Sequence, residues 1–364
     1  MTVRQITADR MADIARGAAI LGTGGGGDPY VGRLLAEQAI RRHGPVTLVD
    51  IEDVPADAVV VPVAMMGAPT VMVEKTPSGE EIHTALRTLR DALGQEITHL
   101  ACIEVGGINS TIPFVAAAET GLPLVDADAM GRAFPELQMV LPTLAGVSTC
   151  PLVLTDEKGN STLLRTIDNL WAERLARSVT VEMGCSSMTV QCVMRGAQLR
   201  DALVPGTLSL VERLGRAVRE ARGRRDPVTA AIEIMDGHLL FTGKVTDVSR
   251  RTSGGFARGT ARLAGTGTHD GRSLELQFQN EHLLAQVDGR VVAGVPDLIC
   301  VLETDSGEPV TTEALRYGFR VSVIGAPCDP RWRTAAGLDL VGPRYFGYDH
   351  DYVPVERLNA PSPR

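Results

Sequence analysis

Val125-Asp126-Ala127-Asp128-Ala129-Met130-Gly131-Arg132-Ala133-Phe134-Pro135-Glu136-Leu137-Gln138 follows an apolar, strand-like run and packs two aspartates, an arginine and a glutamate into eleven positions. An ordinary strand-to-helix connection needs one capping aspartate and a few turn residues, not four charges around a Met-Gly pair. Charge crowded where a strand ends marks a ligand site at the carboxyl edge of an α/β sheet. Asp126, Asp128, Arg132 and Glu136 are therefore candidate site residues. The competing reading is an internal salt-bridge cluster in which Asp128 caps a helix that begins at Ala129.

Working outward from this stretch, the first 150 residues alternate helix and strand. Helical spacing covers Thr7 to Leu21, Tyr30 to Arg42, Gly79 to Leu93 and Asn109 to Thr120. Strand patterns fall at Val46 to Val49, Ala58 to Val63, His99 to Glu104, and in the run ending at Val125. Strands alternating with helices of ten to fifteen residues imply βαβ units, so a mostly parallel, Rossmann-like α/β sheet is expected. From about Val147 the texture changes. Leu163 to Arg177 and Leu208 to Arg222 read as helices, and the basic run after Arg219 reads as a solvated helix end. Beyond Pro227 the chain is rich in short alternating strands divided by Asp-Gly and Ser-Gly turns, the pattern of a β-sandwich or swivelling barrel. At 364 residues two cores are expected, and we place the division at residues 1–168 and 169–364.

Composition narrows the function. Apolar content of 44% and charged content of 22% are those of a soluble globular protein. A net charge of −8, with no basic stripe interleaved with aromatics, argues against nucleic acid as a partner. No run of eighteen apolar residues and no signal-type leader are present, so the expectation is a cytoplasmic protein with no membrane partner. Six cysteines lie far apart without a C-x-x-C, as in reduced cytosolic chains.

Other candidate positions follow from local chemistry. Gly22-Thr23-Gly24-Gly25-Gly26-Gly27-Asp28-Pro29 joins two helices. Asp28 and Pro29 suit a helix start, but four glycines exceed what a cap requires, so Gly25, Gly26 and Asp28 are expected near a ligand or the other domain. The run is no Rossmann fingerprint, because it follows a helix, and it lacks the Lys-Ser/Thr of a P-loop. Glu104 and Asn109 flank a Gly-Gly turn at the end of an apolar strand, where a carboxylate needs a partner. Cys185, between glycine and two serines, is the one cysteine in a setting that suits a nucleophile. Asn280, Glu281 and His282 stand between two strands, and Asp297 precedes a strongly apolar one. The seven histidines show no zinc spacing, and a divalent metal held by scattered Asp, Glu and His ligands stays open.

Taken together, the glycine run from Leu21 to Pro29, the segment Asp126 to Gln138, Asn280-Glu281, Val295-Pro296-Asp297-Leu298-Ile299 and Tyr317-Gly318-Phe319-Arg320-Val321 resemble the S-methyl thiohydantoin desulfurase family. The likeness runs from about residue 6 to 355. It implies hydrolytic removal of an S-methyl group from a small heterocycle in an interdomain cleft, giving a hydantoin and methanethiol as in ergothioneine breakdown. It also implies a homo-oligomer and a hydantoinase- or oxoprolinase-type partner. In such a site Asp126, Asp128 and Glu281 would bind or protonate the ring, and Arg132 would meet a substrate carboxylate. The attacking atom would be Cys185 or an activated water. Gly25, Gly26, Asp28, Glu104, Asn109, Glu136, Asn280 and Asp297 would complete the pocket. Two other functions compete: a metal-dependent cyclic-amide hydrolase using Asp126, Asp128 and His282, and a non-catalytic subunit of a hydantoinase complex.

Overall fold

A computed structural model describes residues 4–67, 71, 75, 79–253 and 256–360. The first sheet collects ten strands in the described residues: β1 (Arg4–Ile6), β2 (Val46–Val49), β3 (Val59–Gly67), β4 (His99–Cys102), β5 (Leu124–Asp128), β6 (Leu152–Thr155), β7 (Ser161–Leu164), β8 (Ser186–Val190), β9 (Met194–Arg195) and β10 (Val204–Pro205). Their order is β1-β2-β5-β4-β3-β8-β6-β7, with β10 on β5 and β9 on β3. Only the centre, β2-β5-β4-β3, is parallel. Both flanks are antiparallel, so the expected mostly parallel sheet is a mixed one. β8 to β10 lie beyond residue 168 in sequence yet complete this first sheet.

Among the described residues seven helices of eight or more residues accompany it. α1 (Met11–Leu21), α2 (Tyr30–His43), α3 (Glu80–Leu93) and α4 (Ile112–Thr120) precede β5, and α5 (Asn169–Glu182), α6 (Thr207–Ala221) and α7 (Pro227–Met235) follow β7. α6 packs on β5 and along α1, while α3 and α5 cover the antiparallel strands β6 and β8. α6 shows how sequence dictates that placement. Leu208, Val211, Leu214 and Val218 recur at helical spacing and are buried, whereas Arg213 and Arg216 face outward. The charged run at its end is paired: Arg219 holds Asp13, and Arg222 reaches Glu308.

The second sheet is antiparallel throughout: β11 (His238–Ser253), β12 (Phe256–Gly265), β13 (Ser273–Gln279), β14 (Glu281–Val287), β15 (Arg290–Gly294), β16 (Leu298–Glu303) and β17 (Arg320–Ala326), ordered β15-β14-β13-β12-β11-β17-β16. Leu274, Leu276 and Phe278 on β13 point inward, and Glu275 and Gln277 alternate with them. Asp288 and Gly289 both take positive φ, as a tight β14–β15 hairpin requires. Bulges in β11 and near residues 277 and 285 bend the strands, and β14 and β15 come round against β16. Of the two expected forms, sandwich or barrel, the second sheet is therefore the barrel-like one, a single curled half-barrel. Its interior has its own core, but Leu283, Val295, Leu298, Cys300 and Ile324 belong to the core of the first sheet. No helix of the described residues is long and apolar enough to cross a membrane.

Candidate active site

The carboxyl ends of the parallel strands open on one cavity. Met65, Met66 and Gly67 come from β3, Ile103 and Glu104 from just past β4, and Met130 from just past β5. Gly26 from the glycine run, Pro135 to Leu137, Arg177 of α5, Gln191 past β8, and Asn280 and Glu281 of the second sheet complete the walls. The space open to the centres of water-sized molecules is about 80 Å³, several times the roughly 10–15 Å³ that one water requires. A small ring fits that space.

Glu104 is nearly fully buried and accepts a 2.7 Å hydrogen bond from Asn109 Nδ2. The Asn109 amide is fixed in turn by the Met65 backbone, with Oδ1 accepting from its N–H at 2.7 Å and Nδ2 donating to its carbonyl at 3.1 Å. Burial pushes the Glu104 carboxyl up to about 8, Asn109 opposes the rise, and Asp128 adds to it. Burial also lifts Glu281 well above the usual carboxylate range, Glu104 raises it further, and Arg132 opposes both. Glu281 Oε2 has no hydrogen-bond partner among the described residues. Two glutamates from different sheets thus share one cavity, and Glu104 disfavours ionisation of Glu281.

The glycine run is what lets Glu281 sit there. Thr23, Gly24, Gly26 and Gly27 all take positive φ. A Cβ on Gly25 would collide with the Glu281 carboxylate, and one on Gly26 with the Gly106 backbone. The loop is sewn on both sides: Ile108 N–H donates to the Gly26 carbonyl at 2.9 Å, and His282 N–H to the Thr23 carbonyl at 2.8 Å. Close approach of His282 and Glu281 accounts for Gly24 and Gly25, and close approach of the Gly106-Gly107 turn accounts for Gly26. Asp28 accepts the Tyr30 N–H at 2.8 Å and borders a separate groove.

Six predicted residues meet at the cavity: Gly26, Glu104, Asn109, Glu136, Asn280 and Glu281. Glu136 accepts from Tyr345 Oη at 2.7 Å, and Asn280, at φ 58°, accepts the Ala257 N–H at 2.9 Å. Gly25 stands behind Glu281. Four other charged predictions serve elsewhere. β5 continues to Asp128 instead of ending at Val125, because β10 pairs with Ala127 and Asp128. Asp126 is held by Arg4 and by Ser209, whose N–H lies 3.0 Å away. Asp128 caps no helix, since Gly131 turns the chain at φ 72°. Its Oδ2 accepts the N–H groups of Val105, Met130 and Gly131 at 2.8–3.1 Å, and burial raises it to about 7.

Arg132 cannot meet a substrate carboxylate. It is fully buried, and its donors reach the carbonyls of Ala133, Pro296, Asp297 and His282 and the Thr23 hydroxyl at 2.7–3.3 Å. The guanidinium is a strut between the two sheets. Asp297 braces the same joint, accepting from Cys328 N–H, Arg333, Tyr352 Oη and Val355 N–H. Cys185 follows the C-terminus of α5 and takes a positive φ of 63°. Its backbone lies against Gly67, but it is not among the residues lining the cavity.

His282 is buried with both ring nitrogens unpartnered among the described residues, and desolvation takes it down to about 3. Among the described residues no three His, Cys, Asp or Glu side chains gather as a metal set would. Sequence reasoning missed Gln191 and Arg177. The signal for Gln191 was the one that exposed Glu104, a polar residue at the end of an apolar strand. Arg177 gave none, because a helical arginine with Glu173 one turn back reads as a surface pair.

Comparison with known proteins covers nearly the whole chain. Residues 9–166 match the family model described as S-Me-THD-like, N-terminal domain, and residues 167–355 match S-Me-THD-like, C-terminal domain. A crystal structure of a protein from Chromobacterium violaceum superposes with a TM-score of 0.81 at 25% identity, covering 97% of this chain and 100% of that one. No curated protein matches.

Proposed function

This chain belongs to the S-methyl thiohydantoin desulfurase-like (S-Me-THD-like) family, and on that footing we propose that its cavity hydrolyses an S-methyl thiohydantoin-type ring to a hydantoin and methanethiol. The observation that carries this reading is the Glu104–Glu281 pair. Glu281 is held protonated by burial and by the Glu104 charge, while Glu104 ionises around 8, so Glu281 can act as acid and Glu104, once ionised, as base. The acid gives its proton to the ring nitrogen beside the sulfur-bearing carbon, which sharpens that carbon as an electrophile. The ionised partner takes a proton from water as the water oxygen bonds to the carbon. Collapse of the adduct breaks the carbon–sulfur bond, methanethiolate departs and takes up a proton, and a ring carbonyl remains. Ring and water become hydantoin and methanethiol, with no further reactant.

The surroundings fit these roles. Asn109 orients Glu104, and Met65, Met66, Met130 and Phe134 offer thioether and aromatic surface to a methylthio group. Cys185 does not line the cavity, which supports water rather than a thiol as the attacking group. The test is thiol release from an S-methyl thiohydantoin by the purified chain. Wild type and Cys185→Ser should turn over alike, and Glu281→Gln should lose about 100-fold or more. A wild type that releases no thiol, or a Glu281→Gln variant as fast as wild type, overturns the reading.

A further inference from the structure

Gln191 stands out among the groups facing the cavity. It is fully buried, yet neither Oε1 nor Nε2 finds a hydrogen-bond partner among the described residues. Its backbone is not free to turn the side chain elsewhere, because β8 is locked to β3 and the Gln191 N–H donates to the Pro62 carbonyl at 3.4 Å. A buried primary amide with no protein partner is costly unless something else supplies both a donor and an acceptor. Asn109, the comparable amide nearby, is already bonded to Met65 and Glu104.

We propose that Gln191 reads the lactam edge of the substrate ring, its Oε1 accepting from a ring N–H and its Nε2 donating to the adjacent ring carbonyl. The pairing is planar and two-pronged, and it is neutral, so it selects a cyclic amide over a carboxylate or an amine. This assignment rests on the hydrolytic reading above, and it divides the cavity: Glu104 and Glu281 work at the sulfur-bearing carbon while Gln191 holds the amide side of the ring. It makes Gln191 a specificity residue that touches substrate without moving a proton.

The experiment is calorimetric binding of two ring pairs to the full chain: hydantoin against 1,3-dimethylhydantoin, and 2-pyrrolidinone against N-methyl-2-pyrrolidinone. For wild type, blocking the N–H should weaken binding by about 10- to 100-fold. In Gln191→Met, of similar shape but without the amide, that ratio should fall to near one. Gln191→Leu supplies a second reading should the methionine variant not fold. Leucine also lacks both amide groups, so its ratio should likewise fall to near one. A ratio unchanged in Gln191→Met, or a wild type that binds neither lactam, overturns the assignment. If 2-pyrrolidinone is discriminated through Gln191 while hydantoin does not bind and no S-methyl thiohydantoin is turned over, the assignment stands and the hydrolytic reading falls. If thiol release proceeds but discrimination ignores Gln191, the reverse holds.

Discussion

Burial of Glu104 and Glu281 in one cavity ties their protonation to folding. The ordinary glutamate value is 4.5 and the folded Glu104 value about 8, so the folded chain holds the proton over a range where the unfolded chain releases it. The stability this contributes is fully present below 4.5 and is lost as pH rises toward 8, at a slope of about 1 kcal/mol per pH unit. Glu104→Gln keeps an acceptor for Asn109 and removes the titration. Its stability relative to wild type should therefore climb between pH 4.5 and 8 and level off above, as read from urea midpoints, and two parallel pH profiles would refute this. The acid was legible in the sequence because a carboxylate ending an apolar strand demands a partner. The identity of its partner was not, since Glu281 arrives from the other sheet. Arg132 misled for the same reason. A guanidinium beside acids suggests a carboxylate receptor until the carbonyls that occupy it are known.

Among the elements, the loop from Gly22 to Gly27 sets how deeply the second sheet reaches into the first. Gly25→Ala introduces a methyl where the Glu281 carboxylate lies, and neither loop nor strand can yield without breaking the Thr23–His282 backbone bond. The expected cost is about 1–3 kcal/mol, together with a fall in kcat that exceeds any change in KM, because the displaced group is the proton carrier rather than the ring's contact surface. Thermal melting and steady-state thiol release check both halves, and unaltered kcat would show that Glu281 is not pressed by this loop. The helices and most central strands were legible from periodicity, and the Asp-Gly hairpin from its turn chemistry. The end of β5 was not, because extending a strand through Asp126 and Asp128 is tolerable only with Arg4, Ser209 and three backbone amides in place. Sandwich and barrel both stayed open for the second sheet, since its curl is written in bulges that no alternation pattern records.

For the whole molecule, the first core runs on into residues of β14 and β16, and Arg132 bridges the joint. Two sequence segments were foreseen, but their shared core was not, because contacts between them lie far apart in the chain. Such continuity predicts one cooperative unfolding transition. Arg132→Met strands four buried carbonyls and the Thr23 hydroxyl, and leaves Glu281 without the cation that opposes its rise. The loss should be about 3–5 kcal/mol, and calorimetry should resolve two transitions where wild type gives one. A single transition at unchanged temperature would show that the strut carries no coupling. Asp297, whose carbonyl receives Arg132, is itself gripped by Arg333, Tyr352 and Val355. During synthesis the segments bearing Gly26 and Glu104 emerge early, Glu281 late, and the residues that fix Asp297 nearly last. A nascent chain can therefore own a folded first sheet and both glutamates without yet being competent, and a chain cut short of Tyr352 would stay that way: the ribosome must deliver almost everything before the pocket is set.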